Sequence, residues 1–341
     1  GLGPTEDDLT REALAAAFGL SLELDQSIVD VIAARFAARG WTMPEVNRKQ
    51  GMIFVGQTTL RNERGTAPGF HLFVEGKHVW VFPGVPHELE WMLETYLAPW
   101  LQSVSGGRAR HRRVLKIAGV TESGVEEKLK PYYDAHPGEL VTILASGGQI
   151  EIHLGGESRE DIAARESEIA LLFGERLFGF DDDTLESVVG ALLKARGQTL
   201  ATAESCTGGL LGSRITDISG SSAYYLGGAV CYTAAAKIDF ANVDPSLISA
   251  HGEVSEEVAR ALADGIRKRF AATWGVGITG IAGPTGGTPE KPVGTVHIAI
   301  AGPVEKHRKL LWQGPRTVVK WYATQQALDL LRRCVLTHTH D

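Results

Sequence analysis

Four short segments within residues 181–341 gather hydroxyls, a lysine and glycines where strands should give way to helices. The densest is Ala203-Glu204-Ser205-Cys206-Thr207-Gly208-Gly209. Hydroxyls, a thiol and two glycines at a helix start place nucleophiles beside unpaired backbone N–H groups. That arrangement suits phosphate binding, or an oxyanion hole for acyl transfer. N-capping followed by close strand–helix packing uses the same residue types. Gly220-Ser221-Ser222 lies between elements, and Tyr232-Thr233-Ala234-Ala235-Ala236-Lys237 follows an apolar strand. A lysine one turn into such a segment, desolvated, can deprotonate a serine, whereas a lysine on a helix surface does nothing of the kind. Tyr232 at a strand end serves equally as core packing. Thr279-Gly280-Ile281-Ala282-Gly283-Pro284-Thr285-Gly286-Gly287 has the glycine density, at Gly280 and Gly283 above all, for close backbone approach to a ligand or for a plain hairpin loop. Cys206 is a rival nucleophile to Ser205, with a small buried residue as its preferred reading.

These segments need a frame that brings strand ends together, and the chain is built to supply one. Forty glycines punctuate short β-branched runs that alternate with Ala/Leu-rich amphipathic stretches, the pattern of an α/β protein. Over 181–341 the expected order is helix 185–196 behind an N-cap at Thr184, strand 199–203, helix 208–217, strand 229–232, helix 234–240 and helix 256–270 capped by Ser255. Strands 276–279, 293–299 and 306–312 and helix 317–335 follow. Strands separated by helices imply a largely parallel sheet covered on both faces, a three-layer α/β/α domain with its crevice at the carboxyl ends of the strands. Residues 104–180 read as a small α+β module, and 1–103 as a further α/β domain with helices at 5–18 and 25–39. Ser103–Arg113 is the expected linker, and its basic cluster Arg108–Arg113 an expected solvated stretch.

Composition bounds the function. With 34 Lys+Arg against 41 Asp+Glu the net charge is −7, which argues against phosphate-backbone binding and so against a nucleic-acid partner. No apolar run approaches the roughly 20 residues of a membrane helix. Three cysteines without a CxxC point to a reducing cytoplasm. At the front, Gly1-Leu2-Gly3-Pro4-Thr5-Glu6-Asp7-Asp8 places glycines, a hydroxyl and carboxylates at a helix start. Gly3 and Thr5 are candidates for phosphate and Asp7 or Asp8 for a hard divalent cation, with ordinary helix capping as the alternative.

Read together, AESCTGG (203–209), ITDISGSSAYYLGG (215–228), YTAAAK (232–237), HGEVSEEVA (251–259), TGIAGPTGG (279–287) and KPVGTV (291–296) resemble the C-terminal domain of the CinA (competence/damage-inducible) family, the nicotinamide mononucleotide (NMN) deamidases. The resemblance implies hydrolysis of the NMN carboxamide to nicotinate mononucleotide and ammonia, a step of NAD recycling, without a cofactor or a metal in that domain. It makes Ser205 the nucleophile and Lys237 the general base, with Ser222, Tyr232 and Thr279 completing the polar site. Glu204, Thr207, Gly208, Gly209, Gly280 and Gly283 would hold substrate, and a homo-oligomer is expected. The family carries Asn two places after the tyrosine, where this chain has Ala234. The front resembles the family's molybdopterin-binding-like domain, associated with a metal-dependent ADP-ribose pyrophosphatase, through Asn47-Arg48-Lys49-Gln50, Gly65–Phe70 and Phe82–Glu88. The strand–helix half that precedes the glycine–aspartate motif in that family is not in this sequence, so the expectation is a first domain cut before its phosphate loop. A nucleotide-binding protein without turnover is the alternative of a different class.

Overall fold

The computed structural model describes residues 1–106 and 111–338. The chain divides into two compact units, Gly1–Ala109 and Arg110–Asp341. No helix among the described residues is long and apolar enough to cross a membrane.

The first unit contains α1 (Thr10–Phe18), β1 (Leu22–Leu24), α2 (Gln26–Ala37), β2 (Met52–Phe54), β3 (Thr58–Leu60), β4 (Gly69–Val74), β5 (Lys77–Val81), α3 (Pro86–Met92) and α4 (Ala98–Val104). β1 pairs antiparallel with β2, and β3, β4 and β5 form an antiparallel sheet. The three-residue strands are too short to display alternation, which is why periodicity alone passes over them. The first helix starts at Thr10 rather than at residue 5. Asp8 accepts hydrogen bonds from the Thr5 N–H (2.9 Å) and the Thr5 hydroxyl (2.5 Å), so residues 5–8 close into a turn.

The second unit opens with β6 (His111–Ala118), α5 (Glu122–Ala135), β7 (Val141–Ser146), β8 (Gln149–Gly156), α6 (Arg159–Phe173) and β9 (Leu177–Phe180). The strands make one antiparallel sheet in the order β7-β8-β6-β9. Its core of Leu115, Ile117, Leu129, Ile152 and Phe173 is completed by the two helices. Arg108 and Arg110 of the basic cluster lie outside the described residues. Arg113, expected in solvent, instead lies on β6 and pairs with Glu166 (2.6 Å) and Asp181, because the strand starts before the sequence pattern suggests.

The remainder comprises α7 (Leu185–Ala195), β10 (Leu200–Glu204), α8 (Leu210–Thr216), β11 (Tyr225–Val230), α9 (Ala234–Ala241), α10 (Pro245–His251), α11 (Glu256–Arg269), β12 (Trp274–Gly280), β13 (Thr295–Ala301), β14 (Lys306–Leu311) and α12 (Arg316–Thr337). Thr184 caps α7 and Ser255 caps α11 through their hydroxyls. The sheet order is β11-β10-β12-β13-β14. β11, β10 and β12 are parallel, whereas β13 and β14 run antiparallel to their neighbours. The expected largely parallel sheet is therefore mixed: no helix stands between β12, β13 and β14, so nothing carries the chain across for a parallel return.

Both faces are covered. Leu200, Val276, Ile278 and Ile298 face α7, α8 and α12, with Leu193 and Leu328 among their partners. Ala201 and Ala203 face the side of Val258, Leu262 and Ile266 on α11. There the approach is very close, since a side chain on Gly277 would run into the Ala259 carbonyl. Only a residue without Cβ fits beneath α11. The α+β module is fastened to the same unit: Ala118 and Phe178 enter the core around α12, and the Trp321 Nε1–H donates to the Gly147 carbonyl at 2.8 Å.

Candidate functional site

Parallel pairing sets the ends of three strands at one edge of the sheet. Glu204 lies opposite Val230 on one side and Ile278 on the other. The antiparallel pair adds the start of β13 and the end of β14 there, because Thr295 faces Leu311. Chain leaving β14 turns at Pro315 into α12, whose first residue, Arg316, therefore rises from that edge.

Ser205 is the first residue beyond β10. Its N–H donates to the Ile278 carbonyl (2.9 Å), and its carbonyl accepts from Gly208 N–H (3.0 Å), which folds 205–208 into a tight turn. Lys237 comes from α9, whose N-terminus is capped by Thr233. Its ammonium is 1% exposed and has three acceptors: Ser205 Oγ at 3.3 Å, the Tyr232 carbonyl at 3.4 Å and Glu253 Oε2 at 2.8 Å. Three donors on one Nζ match three acceptors, so this orientation is fully determined. Thr279, entirely buried, donates to the Glu253 carbonyl at 2.7 Å and so holds the loop that carries the carboxylate.

Glu204, expected at the substrate, turns the other way. Its carboxylate accepts from Gly209 N–H (3.1 Å), Leu211 N–H (3.0 Å) and Gly212 N–H (2.8 Å), and it is 2% exposed. It fills the start of α8, a position where a negative charge is favourable. Gly209 thereby serves α8 capping. Thr207 is fully buried, and its hydroxyl has no hydrogen-bond partner among the described residues. Gly208, at φ +64°, is exposed on the crest of the turn. Gly280 leaves room for Cys206, whose Sγ would lie 3.0 Å from a Cβ there. Burial pushes the Cys206 thiol up to about 12.

Tyr232 lies past the end of β11 rather than on it, half exposed, and its hydroxyl accepts from Arg316 Nη2 at 2.7 Å. Arg316 Nη1 donates to the Gly283 carbonyl at 2.9 Å, so this guanidinium joins the 232 and 283 loops. Ala234 is the first residue of α9 and brings no polar group.

Ser222 does not reach this place. It sits in the short helical turn before β11, whose first residue, Tyr225, pairs with Leu200 at the start of β10. The length of β10 separates it from Ser205, roughly 15 Å at about 3.3 Å per residue. Parallel neighbours begin at the same edge, so a loop before β11 and a loop after β10 lie at opposite ends of the sheet. Within one chain Ser222 is outside the Ser205 site.

Glu253, Arg316 and Lys320 are the residues that sequence reasoning passed over. Glu253 lies within the HGEVSEEVA string, but an acid ahead of a helix reads as a capping charge. The two cations fall on the first turns of α12, far along the chain, where i, i+4 spacing was the available signal.

The N-terminal candidates belong to the other unit. Thr5 and Asp8 are brought together as described, and Gly3 leaves space for the Asp8 carboxylate, with Asp8 Oδ1 3.2 Å from a Cβ placed there. The Thr5 hydroxyl and N–H hold the Asp8 carboxyl down at about 2. Asp7 is exposed. A cavity of about 590 Å³ in this unit is lined by Val31, Ile32, Leu60 and Arg35, and none of Gly3, Thr5, Asp7 and Asp8 reaches it. No group of three or more His, Cys, Asp or Glu suited to a metal occurs among the described residues.

Comparison with known proteins bears on both units. Residues 182–335 match the family described as the CinA C-terminal domain, and residues 1–103 the one described as a probable molybdopterin binding domain. A competence-damage inducible protein of Moorella thermoacetica is 48% identical over 343 residues, 98% of this chain and 82% of the relative. A CinA-like protein of Solibacter usitatus is 40% identical, over 99% of this chain and 83% of its own. A solved competence/damage-inducible protein from Agrobacterium tumefaciens is 36% identical over 45% of this chain and 93% of that one, with a TM-score of 0.44.

Proposed function

The chain belongs to the CinA family, and on that footing we propose that its Ser205–Lys237 site hydrolyses the carboxamide of nicotinamide mononucleotide to nicotinate mononucleotide and ammonia. The observation that carries this reading is the buried lysine 3.3 Å from a serine hydroxyl at the strand ends.

Amide hydrolysis needs an activated nucleophile, a proton for the leaving nitrogen and a second attack by water. Ser205 Oγ adds to the carboxamide carbon while its proton passes to Lys237 Nζ. For that, Lys237 must enter the step as the free amine, its extra proton released to solvent, while Glu253 Oε2 at 2.8 Å holds the side chain in place beside Ser205. Collapse of the tetrahedral adduct breaks the C–N bond, and the proton gained from Ser205 leaves with ammonia. Water then attacks the acyl ester, Lys237 again accepting the proton, which returns to Ser205 as nicotinate mononucleotide departs. Thr279 acts at one remove, by fixing the Glu253 backbone. Cys206, held as a neutral thiol by burial, takes no part.

The test is ammonia release from NMN by the full chain and by Ser205→Ala. Turnover in the parent that vanishes in the variant, and that survives EDTA, agrees with the reading. A parent that releases no ammonia, or a variant as active as the parent, overturns it.

A further inference from the structure

Resting on the amidase reading of Ser205 and Lys237, we propose that Lys320 binds the phosphomonoester of the substrate and so selects a phosphorylated carboxamide over its unphosphorylated counterpart.

The usual receptor for phosphate at a strand-to-helix turn is the set of free amides at the helix start. In this protein that receptor is already filled. The Glu204 carboxylate takes the N–H groups of Gly209, Leu211 and Gly212 from beneath. A phosphate brought there would meet a buried negative charge instead of a positive dipole end. Its charge has to be met from across the crevice, by α12.

Three cations stand at this edge of the sheet, and two are engaged. Lys237 is paired with Glu253, and Arg316 donates to Gly283 and Tyr232. Lys320, one turn beyond Arg316, has no hydrogen-bond or ion-pair partner among the described residues. Its Nζ lies 3.6 Å from the position a Cβ on Gly208 would occupy. Gly208 in turn is bonded through its N–H to the Ser205 carbonyl. The free ammonium therefore stands over the turn that presents the nucleophile, and the exposed glycine leaves the space between them open. In a mononucleotide the phosphate is set apart from the carboxamide by the ribose and the pyridine ring. Lys320 accordingly meets the turn at Gly208, three residues past Ser205, rather than at the Ser205 hydroxyl itself.

The experiment compares kcat/KM for ammonia release from NMN and from nicotinamide riboside, in the parent chain, Lys320→Ala and Lys320→Arg. A charge-assisted contact of this kind corresponds to roughly a 10- to 100-fold preference. The parent should favour NMN by that factor, and the preference should collapse in Lys320→Ala through KM and persist in Lys320→Arg. A Lys320→Ala chain that keeps the parent's preference, or loses equally on both substrates, overturns the proposal. If the parent hydrolyses neither compound, the amidase reading fails. Calorimetric binding of the two compounds then still decides for Lys320: a parent that binds NMN no more tightly than Lys320→Ala does overturns it, and a 10-fold or greater loss confined to NMN upholds it.

Discussion

Replacing Lys237 by methionine isolates proton transfer from everything else the side chain does. Lys237 is 1% exposed, so truncation to alanine would leave a cavity worth about 2–5 kcal/mol and confuse loss of folding with loss of chemistry. Methionine keeps an unbranched stem of similar volume, a change that usually costs under about 1.5 kcal/mol. The lost ion pair adds little, because the Glu253 side chain is 46% exposed and water replaces the ammonium, as at other screened pairs worth about 0–1 kcal/mol. Removing a buried charge also removes its desolvation cost, which works in the opposite direction. The net effect on stability is about 1 kcal/mol, a shift of roughly 2–4 °C in the midpoint of a unit this size. Loss of the general base should lower turnover by about 10²- to 10⁴-fold, equivalent to roughly 3–5 kcal/mol of barrier. Thermal unfolding followed by circular dichroism, together with ammonia release from NMN, reads the two quantities separately. A folded Lys237→Met chain with more than about a tenth of parental activity refutes the assignment of Lys237 as the base.

Further outcomes follow from groups around the site and in the first unit. Cys206→Ala should leave turnover within about threefold of the parent, and iodoacetamide at pH 7 should not inhibit, because the buried thiol ionises only towards pH 12; a dead Cys206→Ala chain would make the thiol the nucleophile. Glu204→Gln leaves one side-chain oxygen where two accept three N–H groups, and it turns an NH₂ towards donors. A loss of about 2–3 kcal/mol is expected by urea unfolding, and an unchanged midpoint would contradict the capping role. Asp8 is depressed in the folded unit from 3.8 to about 2, so its stabilisation is present above pH 4 and disappears as pH falls through 2. The stability gap between the parent and Asp8→Asn should accordingly narrow between pH 4 and pH 2, and a gap independent of pH would rule out this contribution.

Much of the Ser205–Lys237 pair was legible because it is local. Ser205 follows an apolar run and precedes glycines, and Lys237 follows an apolar run and a capping threonine, so each announces itself within a few residues. That the two meet follows from parallel pairing of β10 with β11, which aligns the strand ends although the residues are 32 apart in sequence. The same alignment removes Ser222, which shares a motif string with the rest but leads into β11 instead of leaving it. Glu204 turns towards α8 for a related reason. A residue at a strand end beside a nucleophile has two sides to turn to, and only the packed helix start shows which one satisfies a carboxylate. β11 begins earlier than its apolar pattern suggests, because Gly227 and Gly228 interrupt that pattern. A Cβ on Gly228 would lie 2.8 Å from the Thr202 carbonyl, so the strand requires the residue that conceals it.

What the amino-acid sequence determined by itself is the alternation of elements, the caps that start them, the hydroxyl- and glycine-rich loops, and through those strings the family. Such features depend on neighbours a few residues away, where propensity, capping and hydrophobic period operate. The tertiary structure alone decided direction and charge. It turned β13 and β14 antiparallel, set Glu253 against Lys237, used Glu204 inside α8, and carried Arg316 to Tyr232 and Lys320 to Gly208 from the far end of the chain. Contacts of that kind follow from which strands pair and which faces a sheet must bury, and those choices are settled by the whole core at once.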